Sequence, residues 1–108
     1  MPNVYKDGDF YKITRITGPK HNLLSVKFGN SELKVEKLMQ HSPSAMPMTN
    51  DVEVTEEVLK GVARANDRLG KAFKVSVIQY VPDDSAPASI YGDLAELLVE
   101  AKNAEEIE

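Results

Sequence analysis

Cysteine is absent from all 108 residues, which removes disulfides, thiolate nucleophiles, iron–sulfur ligation and sulfur-based zinc sites together. The reactive inventory that remains is carboxylates, two histidines and four methionines. Long apolar runs are missing too: the stretch from Val75 to Val81 is broken by Ser76 and Gln79 and falls far short of a bilayer span. The opening Met-Pro-Asn-Val-Tyr-Lys-Asp-Gly-Asp lacks the charged-then-apolar order of a signal peptide. A cytoplasmic protein without membrane association is expected. The six glycines are scattered singly, so there is no glycine-rich phosphate loop, and no segment repeats. Gly-x-Ser-x-Gly and metal-binding signatures are also missing, and no acid/base pair stands at a defined spacing. No catalytic residue, cofactor or metal ion is therefore assigned, and a protein that is not an enzyme is the favoured reading.

Length allows one domain, with 42% hydrophobic and 28% charged residues in ordinary globular proportion. Net charge is −4, which disfavours nucleic acid, whose binders carry a basic stripe. The charge is uneven: residues 1–54 carry seven basic and six acidic side chains, residues 55–108 six basic and eleven acidic. The acidity sits in the C-terminal half.

Phe10 to Thr17 is rich in β-branched and aromatic residues and predicts a strand. Gly18-Pro19-Lys20-His21 breaks it as a turn. Leu24, Val26 and Phe28 then alternate with Ser25 and Lys27, and Leu33 and Val35 with Glu32, Lys34 and Glu36, the period of half-buried strands. These three strands read as an antiparallel meander. From Met39 to Val54 no apolar period survives, and the segment reads as a long loop of the kind that carries function or moves. Thr55, ahead of Glu56 and Glu57, is the expected N-cap of a helix of about four turns. Its buried arc is Val58, Val62, Ala65 and Leu69, with Leu59 at the edge and Gly70 closing the helix. A strand through Phe73, Val75, Val77 and Val81 follows, apolar on both faces towards its end through Ile78 and Tyr80, and so central in its sheet. Pro82 to Pro87 ends it. A second helix, capped by Ser85 or Ser89, buries Ile90, Leu94, Leu97, Leu98 and Ala101, and the acidic tail from Asn103 to Glu108 frays. The expected fold is a single α+β domain of order β-β-β-α-β-α, a four-stranded, mostly antiparallel sheet with both helices on one face.

Candidate chemistry is sparse. His21 and His41 lack partners at ligand spacing and read as polar loop residues. Met39, His41, Met46 and Met48 place thioether and imidazole donors within ten positions, a set that soft ions such as Cu(I) favour. Core or partner contact accounts for these methionines more simply. Asp83 and Asp84 follow a buried strand, where two carboxylates with a phosphate could hold Mg²⁺, although turn and capping chemistry explains them as well. Tyr80 and Tyr91 flank the same turn, as packing or as brackets for a ligand. Asn66 falls within the apolar arc of the first helix and needs an internal partner, for which a loop backbone is the expected one.

Charge stripes carry the most information. Lys60, Arg64 and Arg68 recur every four residues on the first helix, on the side away from its apolar arc. Asp93, Glu96 and Glu100 line one flank of the second, where Glu96 and Glu100 repel at i,i+4 and no lysine of that helix neutralises them. If each connection reverses the chain, the helices run parallel and the two flanks face the same way instead of each other. The acidic flank is then an open surface for a basic protein. The leading expectation is a non-catalytic regulator, inhibitor or adaptor that binds a protein partner through Asp93, Glu96 and Glu100, with Met46 and Met48 of the long loop contributing. The alternatives are a small ligand-binding domain or enzyme with a pocket between the sheet and that loop, and a homo-oligomer joined at sheet edges. Lys12, Arg15, Lys20, Lys27 and Lys34 could gather on the open side of the sheet, with Phe10, Tyr11 and Phe28 the only aromatics at hand.

Overall fold

The computed structural model describes residues 3–17, 20–38, 50–81 and 89–107. Five strands and two helices follow in the order β1 (Asn3–Asp7), β2 (Phe10–Thr17), β3 (Lys20–Phe28), β4 (Lys34–Lys37), α1 (Asp51–Leu69), β5 (Val75–Tyr80) and α2 (Ile90–Ile107). The sheet order is β1-β2-β3-β5-β4. The β1–β2, β2–β3 and β3–β5 pairings are antiparallel, and β4 lies parallel to β5. The radius of gyration of 13.2 Å is that of a single compact α+β domain of about 100 residues.

Three sequence expectations are corrected here. The sheet has five strands, not four, and is mixed: three of its four pairings are antiparallel, as expected, and the fourth is parallel. The additional strand, β1, forms a hairpin with β2 through Gly8, which adopts φ 61°, a conformation that glycine reaches without steric cost. Val4 and Tyr5 are both exposed there, so the alternation that reveals a half-buried strand is missing. Nor do β3 and β4 form a hairpin: β5 lies between them. Composition explains the exchange. β5, Val-Ser-Val-Ile-Gln-Tyr, is largely buried and takes the inner place, while β4, Lys-Val-Glu-Lys, is short and charged and suits an edge.

α1 begins five residues earlier than Thr55 as N-cap would have it. Asn50 is the N-cap, accepting from the Glu53 backbone N–H at 3.0 Å while its amide donates to the Glu53 carboxylate at 2.8 Å. This reciprocal pair satisfies helix-end donors in the manner of a capping box. Gly70 closes the helix in the left-handed conformation at φ 66°, as expected. The buried arc is Val54, Val58, Gly61, Val62 and Ala65, with Leu69 partly covered and Leu59 exposed. α2 starts at Ile90, directly after Ser89, and remains helical to Ile107, where a frayed tail was expected. Its fully buried side chains are Tyr91, Leu94, Ala95, Leu98 and Val99. Ile90 and Leu97 pack at the margin of the core.

Both helices cover the sheet face made by Tyr11 and Ile13 of β2, Leu24 and Val26 of β3, and Ile78 and Tyr80 of β5. Ile78 and Tyr80, not Val77, are thus the core residues of β5. A register shift opposite Lys27 and Phe28 turns Val75 into the core as well. Tyr80 and Tyr91 meet edge-to-face at 6.3 Å and are fully buried, so they pack and do not bracket a ligand. The Tyr80 hydroxyl donates to Asp51 at 2.5 Å, and burial, with that carboxylate beside it, pushes the phenol pKa up.

α1 and α2 touch through glycines. A methyl group on Gly61 would overlap the Gly92 carbonyl, and one on Gly92 would come 2.9 Å from the Glu57 carbonyl. The backbones therefore approach as only residues without a side chain allow. Among the described residues no helix is long and apolar enough to cross a membrane.

Candidate anion-binding groove

The three carboxylates proposed for partner binding are not an open stripe. Arg64 Nε donates to Glu96, and the Arg64 guanidinium lies 3.7 Å from Asp93. Arg68 lies 3.3 Å from Glu96 and 2.8 Å from Glu100. These pairs ascend together along both chains, as in parallel helices, yet the two flanks face each other. Gly61 and Gly92 are the reason. Each sits at the border between the apolar arc and the charged stripe of its helix, so the stripes flank the helix contact instead of lying opposite it. Glu96 is held below its ordinary value of 4.5, first by the hydrogen bond from Arg64. Lys60 pairs within its own helix, with Glu57 at 3.3 Å.

Met39, His41, Met46, Met48, Asp83 and Asp84 lie outside the described residues, as do the side chains of Lys20 and His21. The backbone of His21 belongs to β3, paired with Ile16. Strand register puts Lys12, Lys27 and Lys34 on the sheet face away from the helices. Arg15 lies with Asn22 on the helix-covered face.

At the end of the sheet where β3 finishes and β5 begins, two hollows adjoin. The first, about 310 Å³, is lined by Lys6, Asp9, Tyr11, Lys27, Phe28 and Lys102. The second, about 250 Å³, is lined by Gly29, Asn30, Ala72, Phe73 and Lys74, and shares Phe28 and Lys102 with the first. Together they form one groove, and Lys6, Lys27, Lys74 and Lys102 all contribute to its lining in a chain of net charge −4. The aromatic part of its floor is small and comes from Tyr11, Phe28 and Phe73. Phe28 meets Tyr11 edge-to-face at 5.4 Å and Phe73 at 5.9 Å. The ammonium groups of Lys6 and Lys102 lie 5.2 and 5.6 Å from the Tyr11 ring centroid, within cation–π range.

Local structure holds this floor in place. Asn66 of α1 bonds the backbone of Phe73 twice, donating to its carbonyl at 2.9 Å and accepting from its N–H at 3.0 Å. The expected partner of Asn66, a loop backbone, is thus found, and the loop is the one that carries Phe73 into the groove. Gly29 N–H donates to the Lys74 carbonyl at 2.9 Å. A side chain at Gly29 would press on Ser76 Oγ at 3.1 Å, so the β3 end and the β5 start can meet closely. Ser76 Oγ donates to the Lys27 carbonyl at 3.2 Å.

Besides Asp9 in the lining, a carboxylate of α2 reaches two residues of the groove. Glu105, near the end of α2, accepts from Lys6 at 3.0 Å and from the Tyr11 hydroxyl at 2.7 Å. These bonds, Tyr11 first, hold its carboxyl below the ordinary value of 4.5. In return the Glu105 hydrogen bond raises the Lys6 ammonium above 10.5. Burial, and then Glu105, raises the Tyr11 phenol above 10.0. The lysines come from β1, β3, the loop before β5, and α2, so no spacing in the sequence announces them; the pocket expected beside the long loop does not include this groove. The chain matches no protein-family model, no curated protein and no solved structure, which leaves the groove's own chemistry as the guide to what it binds.

Proposed function

We propose that this chain is a non-catalytic binding domain whose groove takes an anionic ligand. The observation that carries this reading is the pair of ammonium groups, Lys6 and Lys102, 5.2 and 5.6 Å from the Tyr11 ring in the hollow that all three residues line, in a protein of net negative charge. Cations held around a concave, partly apolar surface focus the field on an incoming anion. The titrating groups at the rim support binding over catalysis. Glu105 is shifted down, and Lys6 and Tyr11 up, so all three move away from neutrality, whereas a general acid or base is poised near it.

Docking of a basic protein on α2 has less in its favour, because Arg64 and Arg68 already match Asp93, Glu96 and Glu100. Joining of copies at the β4 edge would bring together Lys34, Glu36 and Lys37, charges of the kind that keep edges apart.

Titration with pyrophosphate, followed by calorimetry and by amide shifts, tests the proposal. Binding that moves the amides of Tyr11, Phe28 and Lys102, and weakens in Lys102→Gln, is expected. No binding at low ionic strength overturns it.

A further inference from the structure

We infer that two copies of this chain join through β1, antiparallel about a twofold axis centred on Tyr5, into one continuous sheet. The inference is independent of the anion reading, because it uses the outer edge of β1 and not the groove. β1 ends the sheet and pairs with β2 in unbroken register over all five of its residues, so its other side offers backbone donors and acceptors that no described strand takes up. Proteins guard such edges with lysine, proline, bulges or very short strands. The opposite edge is guarded: β4 has four residues, and Lys34, Glu36 and Lys37 among them are exposed. β1 has neither proline nor bulge, and its two charges are engaged within the chain, Lys6 with Glu105 at 3.0 Å and Asp7 with Lys12 at 3.2 Å. What the strand leaves open is Val4 and Tyr5, 39% and 42% exposed.

Register and charge select a second copy as the occupant. Pairing with β2 puts Val4 and Lys6 on the helix-covered face, beside Ile13 and Tyr11, and Tyr5 on the open face, beside Lys12. A twofold axis perpendicular to the sheet keeps like faces together, so only registers that oppose residues of one face are allowed. Those that pair three residues or more centre on Val4, Tyr5 or Lys6. Centring on Lys6 opposes two like charges, which is destabilising, and pairs only residues 5–7. Centring on Val4 pairs only residues 3–5. Centring on Tyr5 pairs all five: Tyr5 opposes Tyr5, Val4 opposes Lys6 and Asn3 opposes Asp7, with no like charges directly across. Two opposed aromatic residues are a favourable cross-strand pair, and the contact is isologous, so it closes at two copies.

Sedimentation of the intact chain at rising concentration, with two variants at position 5, tests this. The mass should climb to twice that of the chain. Tyr5→Lys, an exposed change that sets like charges opposite each other, should return it to one, with circular dichroism unchanged. Because the chain has no cysteine, Tyr5→Cys gives a second reading: directly opposed residues hold their Cβ atoms about 4.5–5.5 Å apart, close to disulfide reach. Mild oxidation should therefore link Tyr5→Cys into dimers far faster than Leu59→Cys, at a similarly exposed position on α1. A chain that stays monomeric into the millimolar range overturns the inference, as does a dimer that Tyr5→Lys leaves intact, or equal rates of linkage at the two cysteines. A monomer whose β1 amides become protected only on adding an unrelated extended peptide gives the edge to a foreign strand and overturns the second copy as its occupant.

Discussion

Asn66 shows how one side chain links helix, loop and site. Its side-chain amide bonds both backbone groups of Phe73, and its backbone carbonyl accepts from Gly70 and Lys71 N–H at the helix end. Asn66→Ala leaves the Phe73 amide and carbonyl without those bonds, at a cost of about 1–3 kcal/mol. Urea unfolding should register that loss, and amide exchange at Phe73 should rise more than at Ile78. This residue was legible in the sequence because a polar side chain inside an apolar arc demands a partner. Asn50 was not: Asn50 and Glu53 stand three apart in the capping pattern, but Thr55 with Glu56 and Glu57 offers a competing helix start, and propensity does not choose between them. The four lysines of the groove were less legible still. Their meeting depends on where β1, β3, the start of β5 and α2 come to rest, which is a property of topology and not of spacing.

The two helices act as a pair, and the pairing yields two expectations. Gly61 in a helix interior is poorer than alanine by about 1 kcal/mol in an isolated helix. Gly61→Ala should nevertheless destabilise the protein, by roughly 1–2 kcal/mol after that gain, since the methyl overlaps the Gly92 carbonyl and the backbones must part. The sign of the change in thermal midpoint decides the matter. The second expectation concerns acid. Glu96 has its folded pKa below 4.5, so its contribution is fully present above that value and is lost as pH falls through the folded one. The thermal midpoint should decline from pH 5 to pH 3, and Glu96→Gln should flatten the decline. The apolar arc of α1 and the Gly70 stop were readable from period and cap. The contact face was not, since a glycine contributes nothing to a hydrophobic pattern even where it marks the tightest approach.

Across the whole molecule, the central place of β5 followed from its apolar content, and both helices lie on one sheet face as the patterning implied. The fifth strand and the parallel edge escaped, because β1 is exposed on both faces and pairing order leaves no trace in alternation. Glu105 ties this architecture together. It sits among the cations as a resident carboxylate, so Glu105→Gln should raise pyrophosphate affinity roughly fivefold at low salt, the effect of removing one nearby like charge; calorimetry at two salt concentrations would check it. The same bond has a kinetic meaning. Lys6 and Glu105 are 99 positions apart, and closing so long a loop has an entropic cost that only the assembled sheet and helices offset. Contacts of such separation slow folding. On a ribosome the bond between Lys6 and Glu105 cannot close until the final turns of α2 have emerged, so the rim of the groove is completed only after β1 through β5 have been made.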